Sequence, residues 1–255
     1  MGFCYDVGDM RWATKRKLLY AFGVALVLLV LAGVAWFAFF YHSPTCSDGV
    51  MNQNEEGVDC GGLCDKLCQA PKVSALWARA VNVAPGVYHA VALVRNPEAN
   101  AGTESLPYTF YLYDANNILV AQREGTMFLN PGEDVPLFEA NILTGSRIPV
   151  RAFADFGQAT WKRMERPQNP LAIVSQTLDE KTLKLIGTVE NTSPLAVKAA
   201  LVTALLYDAD GVLVTASQTS LATLAAHDRR AVTFTWQVPF VKPIVRADIV
   251  ARVQH

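Results

Sequence analysis

The chain has little with which to do chemistry. Histidine occurs four times in 255 residues, at His42, His89, His227 and His255, and no two are spaced as metal ligands. There is no G-x-S-x-G elbow, no phosphate loop and no G-x-G-x-x-G turn, so hydrolase and nucleotide sites have no local signature. An excess of one charge is also missing. The 22 Lys and Arg face 23 Asp and Glu, for a formal net charge of −1, and no nucleic-acid partner is implied. CxxC pairs, the usual zinc spacing, are absent. The expectation is a chain that is not an enzyme and has no cofactor, the calcium alternative below excepted.

What is present begins with a long apolar run. Leu18–Tyr41 carries no charge and follows Arg11, Lys15, Arg16 and Lys17. About 20 apolar residues in a helix cross the hydrocarbon core of a bilayer. Basic residues stay on the cytoplasmic side, so residues 1–17 are expected inside and everything after His42 outside the plasma membrane. A cleaved signal peptide has a shorter apolar region and a small-x-small cleavage site. This run is longer and ends in Trp36, Phe37, Phe39, Phe40 and Tyr41, rings that suit the outer interface, with Trp12 and Tyr20 near the inner one. The reading is an uncleaved signal-anchor. Gly23 and Gly33 are too far apart for a GxxxG face, and Ala21 and Ala25 read as lipid-facing.

Just beyond the run lie Cys46, Cys60, Cys64 and Cys68, while Cys4 stands alone on the other side. Cys4 is expected as a reduced thiol. Asp48, Glu55, Glu56, Asp59 and Asp65 make the cysteine segment acidic, against Lys66 alone. Four cysteines in an oxidising compartment form two disulfides, with three pairings open. A segment this polar has almost no core of its own and needs such staples. Zinc is one alternative, but the spacing Cx13Cx3Cx3C does not suit it. Calcium is another: Asn52, Asn54, Glu56 and Gly57 space like the start of an oxygen-rich loop, flanked by Asp48 and Asp59. The twelfth position from Asn52 is Leu63 rather than a bidentate Glu, so this is no EF-hand. Otherwise these polar residues make turns, with glycines supplying positive φ.

From Pro71 onward the chain reads as short β-strands with turn signals between them. The runs are Val73–Val81, Val87–Arg95, Tyr108–Asp114, Ile118–Arg123, Val135–Ile142 and Pro149–Phe156, then Leu171–Gln176, Thr182–Glu190, Ala196–Tyr207, Val212–Thr219, Ala231–Val238 and Arg246–Val253. The two sets are copies. Leu112–Val120 matches Leu206–Val214 at an offset of 94, Arg95-Asn96 matches Glu190-Asn191 at 95, and Leu137-Phe138 is aligned with Thr233-Phe234 at 96. A repeat of this length, with regular turns, fits a β-sandwich. In each copy an Asp opens a tight turn, with Tyr113 and Tyr207 read as rings capping the core. Trp77, Trp161 and Trp236 read as core or interface rings. Residues 158–170, polar and bearing Pro167 and Pro170, read as the linker between domains. Asn191-Thr192-Ser193 fits a glycosylation sequon and is read as a polar turn.

Two resemblances follow from these residues. Cys46 to Cys64 resembles a small cysteine module, C-x-D-G-x-x-N-x-x-E-x-G-x-D-C-G-G-x-C, that recurs on exported bacterial proteins. Phe110-Tyr-Leu-Tyr-Asp114 resembles the signature of the FxLYD family, whose domains are immunoglobulin- or fibronectin-III-like and extracytoplasmic. The motif residues are Phe110, Leu112, Tyr113 and Asp114, with Leu206, Tyr207 and Asp208 in the second copy, where Ala204 replaces Phe. The resemblance implies adhesion or scaffolding and brings no catalytic residues.

The expected fold is therefore all-β: two tandem immunoglobulin-like β-sandwiches (72–157 and 171–255), preceded by a transmembrane helix (18–41) and a disulfide-stapled acidic module (43–70). The expected role is a single-pass, membrane-anchored extracytoplasmic binding or scaffolding protein with a protein or cell-surface polymer as partner. An accessory subunit of an envelope assembly such as a pilus, secretion or transport complex is the alternative, and an envelope enzyme a third class.

Overall fold

The computed structural model describes residues 12–40, 45–52 and 54–253; Cys4, Arg11, Tyr41, His42 and His255 lie outside the described residues. The chain divides into two units, Met1–Asp48 and Gly49–His255.

The first unit is built on one helix, α1 (Trp12–Phe40). Leu, Ala, Val and Phe fill it, and only its first turns are basic. Its stretch Thr14–Phe40, 27 residues holding an 18-residue window of mean hydropathy 2.6, is long and apolar enough to cross a membrane, since a span needs about 20 residues. The helix starts before the apolar run, so Lys15, Arg16 and Lys17 belong to it. The Arg16 guanidinium sits 3.9 Å over the Trp12 ring. Trp36 and Phe40, one turn apart, stack with centroids 4.3 Å apart.

The second unit holds thirteen strands among the described residues. The first sandwich comprises β1 (Ser74–Ala84), β2 (Val87–Arg95), β3 (Ala101–Tyr113), β4 (Leu119–Leu129), β5 (Asp134–Leu143), β6 (Arg151–Phe156) and β7 (Lys162–Arg163). The second comprises β8 (Leu171–Asp179), β9 (Lys184–Asn191), β10 (Ala200–Tyr207), β11 (Leu213–Leu221), β12 (Arg229–Thr235) and β13 (Arg246–Val253). Sheet β1-β2-β5 faces sheet β4-β3-β6 in the first, and β8-β9-β12 faces β11-β10-β13 in the second. The two orders are the same when the strands are matched in sequence, so the repeat is a repeat of topology. Each sandwich has its own core. Phe110, Leu112, Leu106 and Leu129 anchor one, Phe234, Leu185, Leu206 and Val202 the other. Each such side chain contributes about 1.5–3 kcal/mol by leaving water.

One alignment needs correction. Arg95 pairs with Asp134 and Glu190 with Arg229, an offset of 95 on both strands. Phe138 therefore corresponds to Thr233, and Phe234 to Glu139. A shift of one residue changes the face of a strand. Phe138 points outward against the neighbouring sandwich, while Phe234 fills its own core. The copies thus place a core ring differently: on β3 as Phe110, where β10 has the small residue Ala204 at the equivalent position, and on β12 as Phe234.

The two sandwiches pack face to face. Val81, Val91, Trp77 and Phe138 of sheet β1-β2-β5 meet Leu205, Tyr207, Leu213 and Ala216 of sheet β11-β10-β13. This is why seven of the eight residues of β10 are buried, whereas Tyr108–Tyr113 of β3 alternates.

The stretch 158–170 joins the sandwiches, but it is more than a polar tether. Trp161 is buried in the first core. Lys162 and Arg163 form β7 against Gly102 and Ala101. On the other side Leu67 N donates to Trp161 O at 2.9 Å, Arg163 N donates to Asp65 O, and Arg163 Nη1 donates to Gly62 O at 2.8 Å. The segment clamps the cysteine module onto the first sandwich.

Candidate functional site

The cysteine module is held by a disulfide between Cys60 and Cys68, with Cα atoms 5.0 Å apart; Cys46 and Cys64 are disulfide-bonded as well. Gly57 lies directly on the Cys60–Cys68 bridge: a Cβ there would stand 3.0 Å from one sulfur and 3.1 Å from the other. The organising acid is Glu55, which is buried. Its Oε2 accepts from the backbone N–H groups of Asn52 and Asp59, both at 3.2 Å. Sequence reasoning passed over Glu55 as a site residue. Its place in the C-x-D-G…E…D-C pattern was the available signal.

The calcium candidates are placed as follows. Asp59 accepts from Gly49 N–H through both oxygens, at 3.0 and 3.1 Å. Asp48 Oδ2 accepts from Thr45 N–H at 2.9 Å. Glu56 is exposed, and its stem packs where a Gly61 Cβ would stand. Asn54 adopts φ 63° at a turn, and its carbonyl packs on Gly62. Asn52 is half-buried. Among the described residues, Glu55, Glu56 and Asp59 do not bring their carboxylates within 4.8 Å of one another. The two carboxylates of Glu55 and Asp59 act as turn organisers through backbone N–H groups.

The Leu-Tyr-Asp hairpins are also built by carboxylates. Asp114 Oδ1 accepts from Asn116 and Ile118 N–H at 2.9 Å each. Asp208 Oδ1 accepts from Asp210 and Val212 N–H at 3.0 and 2.8 Å. Lys242 Nζ lies 2.5 Å from Asp208 Oδ2, and this hydrogen bond leads in holding the Asp208 carboxyl below the usual range. Phe110, Leu112 and Leu206 are fully buried. The tyrosines diverge. Tyr113 is half-buried and meets Phe153 edge-on at 5.8 Å. Tyr207 is buried between the sandwiches with Arg246 stacked 4.1 Å over its ring.

Two asparagines close corresponding corners. Asn96 Nδ2 donates to the Ala101 and Asn130 carbonyls at 2.7 and 2.8 Å. Asn191 Nδ2 donates to the Leu195 and Ala225 carbonyls at 2.7 and 2.9 Å. Both residues are buried, so the sequon asparagine serves as an internal turn plug. Their recurrence at one repeat position was the signal for this role.

A cleft of about 460 Å³ opens between the sandwiches, lined by Tyr108, Phe128, Phe138, Gln218 and Arg252 among others. Arg252, Tyr108 and Gln218 each bond a neighbour, although Arg252 Nε is buried without a hydrogen-bond partner. Arg252 Nη2 donates to Phe128 O and to Glu133 Oε2, both at 3.0 Å, and stacks 4.1 Å over the Phe128 ring. Burial lowers the Arg252 pKa and Glu133 opposes that shift. Tyr108 OH donates to Glu139 at 2.5 Å; burial, then Glu139, pushes its phenol well above the usual range. Gln218 Nε2 donates to Thr203 Oγ1 at 2.9 Å. Chemically this is a seam that holds two domains. His89 sits in a second gap of about 280 Å³, its Nδ1 accepting from Asn141 N–H at 3.1 Å. Burial lowers its pKa.

No family model matches the chain, and no curated protein matches it. Solved structures are similar only in part. A red sea bream transglutaminase is 12% identical, with 74% of this chain and 29% of that one covered and a TM-score of 0.23. A Bacteroides uniformis beta-glucuronidase 2, covalently bound to cyclophellitol-6-carboxylate aziridine, is 12% identical over 67% of this chain and 25% of its own, with a TM-score of 0.24. A second Bacteroides uniformis beta-glucuronidase gives 11%, 67%, 26% and 0.21. The chain spans less than a third of the length of each, and scores this low carry no argument about function.

Proposed function

We propose that the protein is a single-pass, membrane-anchored scaffolding or binding protein whose module and sandwiches lie on the extracytoplasmic side, with no catalytic activity of its own. The observation that carries this reading is the sequence of parts: a helix apolar enough to span a bilayer, followed at once by a disulfide-bonded module. Disulfides persist where the compartment is oxidising, and the basic first turns of α1 favour the cytoplasmic side. The resemblance to FxLYD-type domains and to an exported cysteine module agrees with a bacterial envelope location. The absence of chemistry is supported by the way the buried polar groups are used. Arg252 pairs with Glu133, and Tyr108 with Glu139. Calcium is not needed in this reading, because Glu55 and Asp59 organise the module through backbone N–H groups.

Two measurements on the full chain in its own membrane test the reading. A membrane-impermeant thiol reagent should label Cys4 only after the cells are opened; labelling of intact cells would invert the topology. Site-directed photo-crosslinking with partner identification should capture partners through residues 73–255. Capture solely through 18–41 would instead make the chain an accessory subunit of a membrane complex.

A further inference from the structure

Strand β5 carries an irregularity that its counterpart lacks. Tyr88 pairs with Ile142 and Ala90 with Glu139, so Ala140 and Asn141 together stand opposite His89. Two residues facing one is a β-bulge, and Asn141 takes a left-handed φ of 54° there. The bulge decides where two side chains go. Phe138 and Ile142 are four residues apart, and an unbroken strand would put both on one face. Instead Ile142 lies in the core of the first sandwich and Phe138 in the seam with the second. His89 shares the outer face of β2 with Val91, two residues on, and holds the bulge from that side. Its Nδ1 accepts from Asn141 N–H at 3.1 Å, and its ring meets Phe138 edge-on at 5.0 Å. In the second copy β9 and β12 pair without a shift, the register continues to Leu183 and Trp236, and Lys184 stands where the first copy has His89. The bulge and its histidine thus occur in the sheet that docks, β1-β2-β5.

A neutral imidazole that accepts at Nδ1 carries its proton on Nε2. A proton added at Nδ1 sets two N–H donors against each other and costs the bulge its hydrogen bond. Nothing beside the ring offsets the new charge. The gap around His89 is lined by Asn141 of β5, Ala216 and Ser217 of β11 and residues 235–238 at the end of β12, and no Asp, Glu, Lys or Arg lines it. On β1 the residue opposite is Val81. The Tyr88 carbonyl favours the imidazolium, but burial outweighs it. We propose that His89 is a pH-operated latch on the seam between the sandwiches: the neutral ring pins the bulge that aims Phe138 at the second sandwich, and protonation at mildly acid pH releases the bulge and loosens the seam. A released, solvated imidazole titrates near about 6.5, and the pinned one titrates lower. The released form therefore gains as pH falls through that window, and the shift is complete below the pinned pKa. The gain is bounded by the ratio of the two acid constants, about tenfold for each unit between them. The latch stands on the fold alone and does not need the membrane topology proposed above.

The test uses the full chain in detergent, with Cys4→Ser as background and Val91→Cys as reporter, since Val91 is fully buried in the seam. Its labelling by a thiol reagent is measured against the exposed Ile186→Cys at the same pH, which cancels the pH dependence of the thiol itself. Protection of position 91 should fall severalfold between about pH 7.5 and about pH 5. With His89→Gln, which stays neutral, protection should not change with pH. With His89→Lys, charged throughout this range, it should be low at both ends. Constant protection in the His89 parent, or the same fall in His89→Gln, overturns the proposal. A second readout needs no substitution and decides by itself where a variant fails to fold. Nitrogen NMR of the unmodified chain should show the Nε2–H ring at neutral pH, and the Asn141 N–H should lose its hydrogen bond with the midpoint of His89. An Nδ1–H ring at neutral pH, or an Asn141 amide indifferent to the titration of His89, overturns the latch as well.

Discussion

The first sandwich and the second have one strand order and opposite surroundings. In the second, the outer face of sheet β11-β10-β13 is covered by its neighbour and the β13 edge is capped by Gln176 and Asn169. In the first, sheet β4-β3-β6 keeps its outer face half open, and β1 packs alongside the β6 edge. The difference is visible at one repeated residue, since Tyr207 is buried at an interface and Tyr113 sits beside Phe153 near solvent. The same sheet of one fold is thus docked in the second copy and half open in the first. The same contrast appears in charge. The cross-strand pair Arg95–Asp134 of the first copy recurs as Glu190–Arg229 with signs reversed, so position and geometry are kept while the field is inverted.

The largest expected effect comes from the seam. Glu133→Ala leaves Arg252 buried without its carboxylate, and breaking a buried pair in this way costs about 3–5 kcal/mol. Glu190→Ala, which removes an exposed pair, should cost less than about 1 kcal/mol. Denaturant unfolding of both variants measures the contrast, and equal losses would break it. Next, Leu205→Ala at the interface should cost about 2–4 kcal/mol, while Tyr111→Ala at the corresponding half-open position should cost clearly less. Asn96→Ala and Asn191→Ala should behave alike, each losing about 1–3 kcal/mol because buried carbonyls lose their donors; here the copies are expected to agree. A smaller effect is pH dependence. The folded pKa of His89 lies below its unfolded value, so the unfolded chain binds the proton more readily. Stability should fall as pH drops below about 6.5 and level off below the folded pKa. His89→Gln should flatten that slope in unfolding midpoints taken between neutral and mildly acid pH. The smallest is calcium: with Asp59 and Glu55 accepting backbone N–H groups, millimolar calcium should leave the unfolding midpoint of the full chain unchanged, as calorimetry can check.

Strand positions were legible because alternation has a fixed period. The predicted runs Val87–Arg95 and Arg246–Val253 coincide with β2 and β13. β7 was not legible, since two basic residues beside a Trp carry no period. The linker's second role was hidden for the same reason: nothing local says that Trp161 is inserted into a core or that Arg163 reaches Gly62. Glu55 looked like one acid among several, and burial singled it out. Nothing local marks Arg252 among the charged residues of β13.

Local pattern by itself determined the apolar helix, the cysteine segment, the two sandwiches and their repeat, because hydrophobic period, turn chemistry and spacing are written residue by residue. Tertiary structure alone decided which outer sheet face is buried, which strand edge is covered, and which charges are paired across the seam. Those outcomes depend on what another part of the chain brings alongside, 119 residues away in the case of Glu133 and Arg252, and no local signal carries that information.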